Sequence, residues 1–202
     1  MKLNLPKNPL VDSLAVSSTF ITGGYNIVKP HKVLTDEVMD IFSDLKLKPK
    51  FVSLFGGLMR RSSSADTRMI HTDLYQLPDL TWKKIMFGIN WEIGDAENIF
   101  RWYDMSKFKE IWPLVVVPEK YQTLSGIHYI DKFKSGVPEG AILLDEVVMT
   151  YDGGPTLVRT NAPHMTIYKS TLLPRVGVSV RFDESDFDTW EDVTAFMQQI
   201  KN

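Results

Sequence analysis

The chain has 202 residues, 44% of them hydrophobic and 24% charged, and 23 Lys plus Arg stand against 25 Asp plus Glu. That length suits one domain with a substantial core, and a net charge of −2 gives no global attraction for a polyanion. Cysteine is absent, which excludes disulfides, thiolate metal sites and cysteine nucleophiles.

The opening MKLNLPKNPL carries no apolar signal core, and no apolar run is long enough to span a bilayer. A cytoplasmic protein without a membrane segment is the expectation. The first helix is predicted in LTDEVMDIFSDLKL, where acidic residues open the segment and Val38, Ile41, Phe42 and Leu45 recur at helical spacing. Strands follow, punctuated by Gly, Pro and Asp: KFVSLF, MIHTDLYQ, KKIMFGINWEI, NIFRWYD, GIHYIDKF, AILLDEVVM, PTLVRT, HMTIYK and RVGVSVRF. The last element is a helix in DTWEDVTAFMQQI. Asp188 and Glu191 have the spacing of a capping box there, and Trp190, Val193, Met197 and Ile200 form its apolar stripe.

Short strands at this spacing predict a mainly β protein with flanking helices, a sandwich or jelly-roll barrel. No repeat or linker divides the chain, so 1–202 is expected to be a single domain. Residues 1–50 would support a core over 51–182, and 186–201 would form the closing helix.

The histidines number four. His31 follows Pro30 in a loop and is given no role. His128, in GIHYIDKF, alternates against Ile127 and Tyr129 and is either a core or a channel residue. His71 and Asp73 differ in kind. Residues i and i+2 of a strand point to one face, so imidazole and carboxylate converge while Thr72 faces away. Such a pair is common on a solvated face, but His164 adds a third potential ligand directly after Pro163. In RVGVSVRF, alternation places Val176, Val178, Val180 and Phe182 on a core face and Arg175, Gly177, Ser179 and Arg181 on the other.

This ordered set of His71-x-Asp73, His164 and a following strand Arg resembles the Fe(II)- and 2-oxoglutarate-dependent oxygenases. GINWEIGDAENIFRWYD and LVRTNAPHMT…PRVGVSVRF are similar to segments of small stand-alone members, and the likeness runs from Phe51 to Phe182. The resemblance implies a double-stranded β-helix (jelly-roll, cupin-like) core. It implies that His71, Asp73 and His164 are the catalytic Fe(II) ligands, a facial triad that leaves positions for 2-oxoglutarate and O2. The co-substrate would be decarboxylated to succinate as an unidentified small-molecule or peptidyl substrate is hydroxylated.

The far carboxylate of 2-oxoglutarate, once buried, needs a paired partner, and Arg matches a carboxylate bidentately. The resemblance gives that role to Arg175, a turn beyond His164. Arg181 shares its face, so alternation does not separate the two. Ser179 offers a hydroxyl to a carboxylate, and Asn90 either lines the pocket or is a satisfied core residue. RVGVSVR also has the R-x5-R spacing of the nucleic-acid dealkylating branch. That branch's Asn-x-Tyr before the His-x-Asp is missing here, where SSSADTRM stands, and no basic patch is present, so a nucleic-acid substrate is not expected.

Two other readings share these residues. One is a non-catalytic jelly-roll protein that binds a metal or ligand as a scaffold. The other is a cupin-like metalloenzyme without a co-substrate, in which Arg175 has no task. Trp91, Trp102 and Tyr103 are cleft or core residues. RRSSSADT before His71 is the expected substrate lip, with Arg60, Arg61 and Arg68 suited to an anionic group.

Overall fold

Antiparallel strands are the main regular structure of the computed structural model, which describes residues 1–11, 24–56, 70–76, 82–94, 97–108, 137–168, 176–182 and 187–200. In chain order these hold β1 (Gly24–Val28), α1 (Asp36–Asp44), β2 (Pro49–Gly56), β3 (Leu74–Gln76), β4 (Trp82–Lys84), β5 (Phe87–Ile93) and β6 (Asn98–Asp104). Then come β7 (Ile142–Met149), β8 (Thr156–Arg159), β9 (His164–Tyr168), β10 (Val176–Phe182) and α2 (Trp190–Met197). The predicted strand GIHYIDKF with His128, Arg175, and the segment RRSSSADT with Arg60, Arg61 and Arg68 lie outside the described residues.

The strands form a large sheet in the order β1-β2-β10-β5-β8, a small sheet β7-β6-β9 and the pair β3-β4. Pairing is nested along the chain. β2 pairs with β10, His71 bridges His164, β5 pairs with β8, and β6 pairs with β7.

Alternation sorts the large sheet into two faces. Val178, Val180 and Phe182 of β10, Phe87, Ile89 and Trp91 of β5, and Val52 and Leu54 of β2 enter one buried cluster with Val38 and Phe42 of α1 and Val193 and Met197 of α2. The helices therefore cover this face, and Phe182 stacks on Phe87 with ring centroids 5.3 Å apart while Phe42 meets its edge. The opposite face carries Ser53, Asn90, Ser179 and Arg181, and it looks onto the small sheet: Val158 of β8 clusters with Phe100 of β6 and Met149 of β7. The N-terminal residues extend the large sheet beside β8, with Leu157 N–H donating to Met1 O and Leu3 N–H to Pro155 O.

Helix α1 begins where Thr35 accepts a hydrogen bond from Val38 N–H, and Asp36 and Glu37 suit the positive end of the helix dipole. It ends in a Schellman arrangement: Leu47 N–H donates to Phe42 O and Lys46 N–H to Ser43 O, with Lys46 at φ +57°.

Three expectations need correction. The capping box of α2 is Thr189 with Asp192, one residue beyond Asp188 and Glu191. The hydroxyl of Thr189 accepts from Asp192 N–H and the Asp192 carboxylate accepts from Thr189 N–H, so the box is set by which residue stays extended, and that is Thr189. KKIMFGINWEI is two strands. At Ile85 and Met86 the chain changes partner: Ile85 N–H donates to Asp73 O, whereas Met86 O accepts from Thr160 N–H beside β8. MIHTDLYQ forms a regular ladder only over Leu74–Gln76, because His71 pairs with His164 while Asp73 N–H turns to Thr160 O.

Candidate metal centre

Backbone pairing brings the two histidines together. His71 N–H donates to His164 O and His164 N–H to His71 O, each at 2.8 Å. Directly opposed residues of an antiparallel pair project to the same face, and the two imidazole centroids lie 4.4 Å apart. Asp73, two residues on, points to the same place. Its Oδ1 is 3.6 Å from His71 Nε2 and 3.7 Å from His164 Nε2. One ligand atom from each of the three residues fits within 4.8 Å of the others.

The surroundings prepare each donor. His164 is buried, and its ring stacks on Phe100 at 4.6 Å. Its Nδ1 lies 2.8 Å from the Ala162 carbonyl, which places the ring proton on Nδ1 and the lone pair on Nε2. Burial, reinforced by His71, lowers its pKa from 6.5 to about 3, so the imidazole is neutral at pH 7. Asp73 is held ionised. Burial alone would raise its carboxyl, but the charge of Arg181 and its hydrogen bonds outweigh that and hold it below the usual range.

Arg181 takes the other carboxylate oxygen. Its Nη2 donates to Asp73 Oδ2 at 2.5 Å and its Nε at 3.0 Å. Nη1 reaches Asn90 Oδ1 at 3.2 Å and Ser179 Oγ, and Ser179 donates in turn to Asn90. Oδ2 is thus saturated by guanidinium while Oδ1 faces the histidines. A charge-assisted pair of this kind fixes both rotamer and protonation state.

Of the residues singled out in the sequence, His71, Asp73, His164, Arg181, Ser179 and Asn90 form one connected cluster. Arg175 lies outside the described residues. Trp91 and Tyr103 are core residues at 1% and 4% exposure. Trp102 borders the site: it pairs with His164 across β6 and β9, and its indole N–H donates to Arg159 O. His31 lies exposed in a turn of 3-10 helix, Pro30–Lys32, and takes no part. Sequence reasoning gave Arg181 a place in the pocket but missed its bond to Asp73. The available signal was Gly88, a glycine within a strand, which marks a close approach of another group.

The side chain of His71 is 22% exposed against 2% for His164, so the cluster opens to solvent on the His71 side. Two imidazole nitrogens and one anionic carboxylate oxygen on one side of a point suit a divalent first-row metal. No family model matches the chain, and a search of curated proteins finds no match.

Proposed function

We propose that this protein is an Fe(II)- and 2-oxoglutarate-dependent oxygenase built on a jelly-roll core. The observation that carries the reading is the convergence of His71 Nε2, Asp73 Oδ1 and His164 Nε2, with Arg181 occupying the remaining oxygen of Asp73. The nested pairing supports the fold assignment, since a jelly roll is a long antiparallel hairpin coiled so that successive strands fall in facing sheets. The donor set fits Fe(II), because two His and one carboxylate leave further positions open.

When bound, iron would couple the oxidative decarboxylation of 2-oxoglutarate to oxidation of a substrate C–H bond by O2. The chain's own residues prepare that event. His164, neutral and with its Nδ1–H donating to Ala162 O, offers the Nε2 lone pair without first losing a proton. Arg181 keeps Asp73 anionic and limits it to one free oxygen. Phe100 packs against the ring of His164 and keeps water from that side. The resemblance assigns the far carboxylate of the co-substrate to Arg175; Arg181 already spends its Nε and Nη2 donors on Asp73.

The test is succinate release. Iron-loaded protein supplied with 2-oxoglutarate and air, screened against metabolites and peptides, is expected to form succinate, and His71→Ala is expected to form none. Succinate formation at wild-type rate in His71→Ala would overturn the reading. A metal-loaded protein that never responds to 2-oxoglutarate would instead be a binding or scaffold protein.

A further inference from the structure

Gly88 stands directly opposite Arg181 in the ladder between β5 and β10. An ideal Cβ built on Gly88 would overlap Arg181 Nη1, lie 2.7 Å from its Cζ and 3.1 Å from Val180 O. The guanidinium therefore lies in the space that a side chain at position 88 would fill. It has no easy escape: Arg181 is 6% exposed, and its Nε, Nη1 and Nη2 are bonded to Asp73, Ser179 and Asn90.

We propose that Gly88 is a positioning residue of the metal centre, whose missing side chain lets Arg181 lie across β5 and hold Asp73 to a single donor oxygen. This rests on the reading of His71, Asp73 and His164 as metal ligands. A methyl at position 88 pushes the guanidinium off Asp73. Oδ2 then loses both its bonds, and the carboxylate is free to rotate or to chelate through both oxygens. Partners behind a ligand of this kind are worth about 10–100-fold in metal affinity.

Co(II), titrated into metal-free protein and followed by its visible absorption, is the probe. Gly88→Ala is expected to weaken Co(II) binding about 10–100-fold, and Arg181→Ala to do the same. The double variant should bind no worse than Arg181→Ala alone, because without the guanidinium the new methyl has nothing to displace. Wild-type affinity in Gly88→Ala, or a double variant that loses the product of the two effects, would overturn the proposal. Should Gly88→Ala fail to fold, the double variant carries the test. A folded double variant with the affinity of Arg181→Ala supports it, and an unfolded one means that the glycine serves the strand itself.

A metal-free measurement separates this inference from the metal reading. The Arg181 Nε–H proton, assigned by its loss in Arg181→Lys, should exchange slowly in wild type and fast in Gly88→Ala. If wild-type protein binds no Co(II) but this proton responds to Gly88, the metal reading falls and the positioning role stands. If the proton does not respond, the positioning role falls.

Discussion

Single side chains decide the electrostatics of the centre, and each has a measurable consequence. His164 takes up a proton near pH 3 in the folded chain and near 6.5 when unfolded. Between these values the unfolded state binds more protons, so stability falls as pH falls; above 6.5 the contribution is level. Asp73, with its pKa lowered, adds a further loss only below its ordinary 3.8. The urea midpoint of metal-free protein should therefore drop from pH 7 to pH 4.5, and His164→Gln should flatten that slope; an unchanged slope would remove His164 as its source. Arg181→Met leaves a buried carboxylate without its partner, which typically costs about 3–5 kcal/mol. Chemical denaturation of the metal-free variant should show a loss of that size. The pairing of Arg181 with Asp73 was not legible in sequence, because alternation gives a face and not a partner across 108 residues of chain.

Elements carry their own tests at their ends and inner faces. Lys46 holds φ +57° in the cap of α1, a conformation that glycine adopts without a Cβ penalty. Lys46→Gly is expected to raise the unfolding free energy by about 1 kcal/mol, and a lower midpoint would contradict this account of the cap. Asn98, at the start of β6, is fully buried, and among the described residues neither atom of its amide has a hydrogen-bond partner. Asn98→Leu, of similar shape, should stabilise by about 1–3 kcal/mol, the cost of an unmet buried polar group. Helix α1 and strands β6 to β10 were plain in the sequence because periodicity and Gly or Pro punctuation agree there. The box of α2 was misplaced by one residue because Asp188 and Thr189 are both good caps and Glu191 and Asp192 both complete one; only backbone conformation separates them. The break at Ile85–Met86 was hidden because a strand that changes sheets keeps its alternation.

At the scale of the whole molecule, the centre sits where the two sheets meet, and no single element contains it. His71 comes from the segment entering β3, His164 from the start of β9 and Arg181 from β10, so the site exists only once residues 71, 164 and 181 have met. The order of these residues was readable, since His-x-Asp, Pro-His and an Arg-bearing strand are local patterns. The nested pairing was not, because register between distant strands is set by burial on both faces of β10. Among the described residues no helix is long and apolar enough to cross a membrane. We propose that this convergence binds Fe(II) and leaves room for a chelating 2-oxo acid. Its most direct test is an anaerobic titration of Fe(II) and then 2-oxoglutarate, read by visible absorption. One iron per chain is expected, with a new charge-transfer band when 2-oxoglutarate is added and loss of both in His164→Ala. Stoichiometric iron binding that persists without His71 and His164, or an iron-loaded protein whose spectrum ignores 2-oxoglutarate, would contradict it.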